Sequence, residues 1–224
     1  MIPWSLLDTA QVPGGGGELR LKQRGAEFAI MLDQSELMNS RLSGSEEALA
    51  TIACGKMRER ETPRVLIGGL GMGFTLRAAL AAVGPRAEIV VAELVPAVVA
   101  WARGPMAEVF GGCLSDPRVS IRETDVGRLI GGGASAYDAI LLDVDNGPEG
   151  LTRKSNDSLY DLKGLSAARA ALRPGGVLAV WSSGANPKFA WRLGKAGFAV
   201  EEIRARANGS RGGARHFIWM ATRT

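Results

Sequence analysis

The sequence predicts an α/β protein: a doubly wound, mostly parallel sheet with an antiparallel C-terminal hairpin and a small N-terminal β region. Three observations predict it. Short apolar runs alternate with helix-like stretches from Pro63 to Trp181. The first of these runs leads into a glycine-rich loop, Gly68-Gly69-Leu70-Gly71-Met72-Gly73. Near the end, Phe198 to Ala205 and His216 to Ala221 read as strands with only Arg206 to Arg215 between them. That connection is too short for a crossover helix, so the two strands pair antiparallel.

Residues 1–45 differ from the remainder and form the small β region; residues 46–224 form the larger, Rossmann-like nucleoside-binding domain. Gly14 to Gly17 is a turn-forming tetraglycine. After it, Glu18-Leu19-Arg20-Leu21-Lys22 alternates polar and apolar, as a half-exposed strand does. Phe28 to Leu32 gives a second strand, and Arg24-Gly25 a hairpin turn between the two. Ser45-Glu46-Glu47 then opens a helix running through Ile52 to Met57, with a polar cap and an acidic first turn.

Arg64 to Ile67 is the first strand of the larger sheet and Thr75 to Val83 its helix. Glu88 to Ala92 is followed by a helix over Ala97 to Phe110, then come strands at Arg118 to Ile121 and Asp138 to Leu142. Leu159 to Leu172 is helical and stops at Arg173-Pro174-Gly175-Gly176, after which Val177 to Trp181 is the fifth strand. Strands that are apolar nearly throughout belong to a sheet covered on both faces.

Composition narrows the chemistry. The chain has 224 residues, 46% of them hydrophobic and 22% charged, with a net charge of +4. Its basic residues are scattered, and no aromatic-basic interleaving marks a stacking platform, so a nucleic-acid partner is not expected. His216 is the only histidine. A zinc site with several histidine ligands is excluded, no metal is expected, and a Ser-His-Asp triad would have to use this one residue. Cys54 and Cys113, in apolar surroundings, read as reduced thiols of a cytoplasmic protein. The first residues show no basic segment followed by an apolar core, and no apolar run is long enough to cross a bilayer. Exposed edges of the small β region suggest a homodimer.

The residues able to carry chemistry collect at predicted strand ends. Gly69, Gly71 and Gly73 either make a tight strand-to-helix turn for structural reasons or let a ligand approach the backbone, where the helix that follows offers unpaired N–H groups. Glu93 ends the second strand, where an acid about twenty residues beyond such a loop accepts both ribose hydroxyls of a nucleoside. Asp125 follows the third strand, either to accept the amine of adenine or to cap the helix over Val126 to Ile130. Asp143 and Asp145 end the fourth strand, either as a polar turn or as a pair that binds a cationic amine and takes its proton. Tyr160 opens the next helix and either packs or faces the same cleft.

With these residues in view, Arg64 to Ala179 resembles the spermidine and spermine synthase family of aminopropyltransferases. The resemblance rests on Leu66-Ile67-Gly68-Gly69 with Thr75-Leu76-Arg77, on Ala92-Glu93-Leu94-Val95-Pro96, on Asp116-Pro117-Arg118-Val119, and on Thr124-Asp125. It continues through Tyr137-Asp138-Ala139-Ile140 to Asp143, Gly147-Pro148, Leu159-Tyr160 and Leu172-Arg173-Pro174-Gly175-Gly176. It implies the fold of S-adenosylmethionine-dependent methyltransferases, with decarboxylated S-adenosylmethionine or S-adenosylmethionine itself as co-substrate and a small-molecule amine as acceptor. Gly69, Gly71, Gly73, Glu93 and Asp125 would hold the nucleoside, and Asp143 would activate the amine.

Three departures stand out, the first a shorter fourth-strand motif in which Asp145 stands only two residues beyond Asp143. The family's loop acid, which holds the charged aminopropyl arm, has no counterpart in Leu70-Gly71-Met72. The family's Tyr-His-Glu is replaced around Ser45-Glu46-Glu47. The sequence therefore leaves open a methyltransferase on the same fold, or a non-catalytic nucleoside-binding homologue.

Overall fold

A computed structural model describes residues 2–144, 148, 157–209 and 212–224; Asp145 lies outside the described residues. Four antiparallel strands come first: β1 (Ser5–Gln11), β2 (Glu18–Arg24), β3 (Glu27–Leu32) and β4 (Ser35–Asn39), ordered β1-β2-β3-β4. Alternation exposes β2 in the sequence because Leu19 and Leu21 turn inward while their neighbours do not. Gly25, at φ 60°, makes the turn into β3. β1 is exposed along almost its whole length and β4 has five residues, three of them polar, so neither carries that signal.

Helix α1 (Gly44–Gly55) then leads into the larger unit. Its elements are β5 (Arg64–Gly68), α2 (Phe74–Ala82), β6 (Glu88–Glu93), α3 (Pro96–Arg103), α4 (Ala107–Phe110), β7 (Val119–Glu123), α5 (Val126–Gly131) and β8 (Tyr137–Leu142). After them come α6 (Asp157–Tyr160), α7 (Leu162–Ala171), β9 (Leu172–Ser182), α8 (Pro187–Lys195), β10 (Phe198–Arg206) and β11 (Arg215–Arg223). The seven strands are ordered β10-β11-β9-β8-β5-β6-β7. β5 to β9 pair parallel, and β11 runs antiparallel to both β9 and β10.

Three local departures from the sequence reading have simple causes. The helix expected over residues 97–110 breaks into α3 and α4 at Gly104-Pro105, where proline supplies no N–H for the helical ladder. The helix expected over residues 159–172 is interrupted at Asp161, whose carboxylate accepts the Gly164 N–H at 2.7 Å and restarts the chain as α7. Arg173 to Gly176 does not stand outside the sheet. Tyr137 pairs with Leu172 and Ala139 with Val177, so the Pro-Gly-Gly segment bulges from β9 opposite Asp138. The buried Asp138 carboxylate secures that bulge, accepting the Arg64 N–H and the Arg173 Nη1–H, both at 2.8 Å.

Period-two alternation along the parallel strands divides the core into two layers. Val65, Ile67, Ala139 and Leu141 face Leu49 of α1, Leu76 of α2 and Trp101 of α3. Leu66, Ile140 and Leu142 face Ile130 of α5, Leu165 of α7 and Phe189 of α8. The small sheet joins the first layer: Leu19, Leu21, Phe28 and Ile30 are buried in it. Its inner face is therefore a wall of the main core, which residues 1–45 read alone did not reveal. Both cysteines are free and buried, and burial pushes the Cys54 thiol up to about 12. No helix among the described residues is long and apolar enough to cross a membrane.

Trp219 is fully buried, and the Phe189 ring meets it edge-on with centroids 5.0 Å apart. Trp219→Ala should cost about 3–5 kcal/mol, read as a lower denaturation midpoint. A loss below about 1 kcal/mol would show that the β9-β11-α8 corner does not set the stability of the domain.

Candidate active site

The carboxyl ends of four neighbouring strands are tied into one row. Asp143 N–H donates to the Gly68 carbonyl at 3.1 Å, Gly69 N–H to Ala92 at 2.9 Å and Thr124 N–H to Glu93 at 2.9 Å. These bonds carry the ladder past the strand ends and bring the glycine loop, Glu93, Asp125 and Asp143 to one edge. That edge includes the β5-β8 boundary, where the strand order reverses and open α/β sheets bind ligands.

A cavity of about 120 Å³ lies there. Gly69, Gly71, Glu93, Thr124, Asp125 and Asp143 line one side, and Val12, Leu19, Ile30 and Leu32 of the small sheet line the other. The three separated acids thus converge on a single hollow. Met38 of β4 and Leu37 beside it complete the apolar side.

Each acid is held differently. Glu93 is buried; its Oε2 accepts the Leu70 N–H and its Oε1 the Val95 N–H, each at 2.9 Å. Burial raises its pKa, and the backbone donors, including those two, oppose the rise. The same carboxylate fixes the glycine loop from beneath. Asp125 caps α5, with Oδ1 accepting the Gly127 N–H at 2.7 Å, and also lines the cavity. The capping reading of that residue is the one the hydrogen bond shows.

Asp143 opens to solvent only in part, and its Oδ2 accepts the Thr75 hydroxyl at 2.5 Å. Burial, and then the nearby Glu46 charge, push its carboxyl up to about 7, against the opposing hydrogen bond from Thr75. A carboxylate with that value exchanges protons readily at neutral pH.

Two candidates stand apart from the cavity. Gly73, at φ 76°, is the N-cap of α2, and a Cβ there would come within 2.5 Å of the Phe110 ring, so close packing explains this glycine. Tyr160 is buried against Phe189, with ring centroids 5.7 Å apart, and does not line the cavity. Its apolar ring fits the α7-α8 core layer better than a wet cleft. Asp145 lies outside the described residues.

A second, smaller cavity of about 60 Å³ adjoins the first and shares Leu37, Met38, Gly71 and Asp143 with it. Glu46, Leu70, Met72, Phe74 and Trp181 complete its walls. Glu46 and Trp181 were not singled out in the sequence for a site, since one reads as an acidic first turn and the other as a strand residue. Ser45 orients Glu46: its hydroxyl donates to Glu46 Oε2 at 2.6 Å and stands 2.8 Å from His216 Nδ1. With the hydroxyl hydrogen on Glu46, His216 donates to Ser45 from Nδ1. Burial, partly offset by the Ser45 hydrogen bond, raises the Glu46 pKa.

Two outcomes follow from this geometry. Between the ordinary Asp value of 3.8 and the folded value of about 7, the folded chain holds a proton on Asp143 that the unfolded chain has lost. Stability should therefore fall as pH rises through that window, and Asp143→Asn should flatten the fall. Denaturant midpoints from pH 4 to 8 check it; equal slopes in both proteins would show that Asp143 titrates normally. Gly69 has φ 89°, and a Cβ there would lie 2.5 Å from the Asp143 carbonyl oxygen. Gly69→Ala should cost about 1–3 kcal/mol, seen as a lower melting temperature. An unchanged melting temperature would mean that the loop has room to spare.

No family model matches the chain. Over 145 residues it is 31% identical to a polyamine aminopropyltransferase of Mycobacterium tuberculosis (strain CDC 1551 / Oshkosh), covering 61% of this chain and 27% of that protein. Over 121 residues it is 31% identical to the polyamine aminopropyltransferase of Korarchaeum cryptofilum, covering 54% and 36% respectively. The chain thus spans only about a quarter to a third of the length of these curated relatives. The structure of spermidine synthase from Thermotoga maritima superposes with a TM-score of 0.76 at 17% identity, covering 98% of this chain and 73% of that one. The likeness takes in the small sheet as well as the large one. In sequence the chain is similar to part of the polyamine aminopropyltransferases, and in fold to a spermidine synthase.

Proposed function

We propose that the chain transfers an aminopropyl group from decarboxylated S-adenosylmethionine to a small amine. The observation that carries this reading is the convergence of Glu93, Asp125 and Asp143 on one cavity beside Gly69 and Gly71. In this reading Glu93 accepts the ribose hydroxyls and Asp125 the adenine amine, while the apolar face of the small sheet closes over the base. Similarity to the polyamine aminopropyltransferases supports aminopropyl transfer over methyl transfer and over binding alone.

The chemistry asks for a neutral nitrogen. An alkylamine of pKa near 10.4 is mostly protonated at pH 7 and has no lone pair to donate. Asp143 takes that proton and then holds the amine in line with the carbon attached to sulfur. The new C–N bond forms as the C–S bond breaks, and the electron pair returns to sulfur. Methylthioadenosine leaves uncharged, and the positive charge passes to the attacking nitrogen, which releases a further proton to solvent. The protein supplies position and a water-poor pocket rather than a covalent intermediate.

The same reading takes the enzyme to be a cytoplasmic homodimer. β1 supports self-association, since it is an outer strand on which Leu6 and Leu7 are exposed.

Incubating the protein with the decarboxylated donor and a panel of amines, then weighing the products, tests the reaction. Asp143→Asn should lower transfer by about a hundredfold to ten-thousandfold while methylthioadenosine binding stays within a few-fold. Full activity in that variant would remove Asp143 from the mechanism.

A further inference from the structure

The proton that Asp143 takes from the amine has to leave before the next turnover, while bound donor and amine fill the cavity through which water would otherwise remove it. Glu46 and Asp143 both line the second cavity, and the Glu46 charge is felt at Asp143. From Glu46 a chain of two hydrogen bonds leads away from that cavity. Ser45 Oγ lies 2.6 Å from Glu46 Oε2 and 2.8 Å from His216 Nδ1. Ser45 is fully buried and lines neither cavity, so its hydroxyl serves these two groups rather than a ligand. His216 is half-buried. Its other nitrogen, Nε2, has no hydrogen-bond partner among the described residues and is not a buried atom, so it meets solvent.

The chain carries one hydrogen for each link. Both point inward when His216 Nδ1–H donates to Ser45 and Ser45 donates to a Glu46 carboxylate. Both point outward when a protonated Glu46 donates to Ser45 and Ser45 donates to a bare Nδ1. Turning the pair from outward to inward carries one proton's charge from Glu46 to the imidazole. The Trp181 ring stands edge-on to His216, with centroids 4.8 Å apart, and keeps the imidazole against Ser45. Burial raises the Glu46 pKa from 4.5 and lowers that of His216 from 6.5, which brings the two ends of the chain closer in proton affinity. Docking α1 on the C-terminal hairpin does not need this arrangement, since the Gly44 N–H already donates to the Ala207 carbonyl at 2.9 Å.

We propose that Glu46, Ser45 and His216 form a proton relay from the second cavity to solvent. The inference rests on the aminopropyl-transfer reading above and adds to it the route by which the amine's proton leaves. The proton held by Asp143 passes within the cavity to Glu46. The O–H bond of Glu46 then breaks as the Ser45 oxygen takes its hydrogen, and the Ser45 hydrogen moves to Nδ1. The imidazolium so formed loses its Nε2 proton to water, and Glu46 is again a carboxylate. Exchange of the ring hydrogens with solvent resets the chain. The three residues touch neither donor nor amine; they act through Asp143.

Two measurements test the relay. His216 is the only histidine, so its ring nitrogens give unambiguous NMR signals. At alkaline pH, with Glu46 a carboxylate, the neutral ring should carry its hydrogen on Nδ1, and in Ser45→Ala it should revert to Nε2. A wild-type ring with its hydrogen on Nε2 breaks the chain and overturns the proposal, whatever the protein's activity. In turnover, His216→Gln offers Ser45 a partner but cannot pass the proton on. It should lower kcat by about tenfold or more, leave methylthioadenosine affinity within a few-fold, and recover most of the loss when imidazole is added. Ser45→Ala, broken at the inner link, should lose as much without recovery. An undiminished kcat in His216→Gln, or a loss that imidazole does not mend, overturns the relay with the transfer reading intact. A wild type that transfers no aminopropyl group to any amine sinks that reading instead, and the ring tautomer then decides the chain by itself.

Discussion

Carboxyl groups folded into water-poor surroundings, with no lysine or arginine set against them among the described residues, are the constraint from which the rest of this structure follows. Burying a carboxylate without a partner is costly, and the usual response is a raised pKa or a set of hydrogen bonds to the charged form. Glu93 uses backbone N–H groups, Asp125 a helix N-terminus, and Asp143 the Thr75 hydroxyl. Each solution ties an acid to a different element of the sheet edge. Arranging those elements around one cavity gathers three carboxyl groups on its walls.

The small N-terminal sheet makes that arrangement workable. Left open, the sheet edge would be bathed in water, and Glu93 and Asp143 would lose the burial that raises their pKa values. Val12, Leu19, Ile30 and Leu32 cover one side of the first cavity with apolar surface, and Met38 lines both cavities. The same residues that stabilise the small sheet by burial also lower the polarity of the site, so folding and function draw on one interface. Helix α1 connects the two sheets and brings Glu46 to the cavity as it does so.

The glycine loop shows how little of a motif's meaning lies in its spacing. Gly69 and Gly71 line the cavity, whereas Gly73 is required by the Phe110 ring. All three have positive φ, so each suits glycine for conformational reasons, yet only two leave room for a ligand. Tyr160 makes the same point from another side: its place next to the cleft residues in sequence says nothing about which core layer takes its ring.

The sequence by itself determined the strands of the larger sheet, its antiparallel close and the three acids at strand ends, but not β1, β4 or α8. Those features depend on local periodicity and on chain length between strands, which are properties of neighbouring residues. Only the tertiary structure decided that the small sheet closes the cavity, that Glu46 and Trp181 share a second one, and that Gly73 and the Tyr160 ring lie outside the lining of the first. Such decisions depend on contacts between residues far apart in the chain: Ser45 meets His216, Thr75 meets Asp143, and Gly73 meets Phe110. No local pattern encodes those meetings, because burial and charge at a site are set by whatever the fold brings against it.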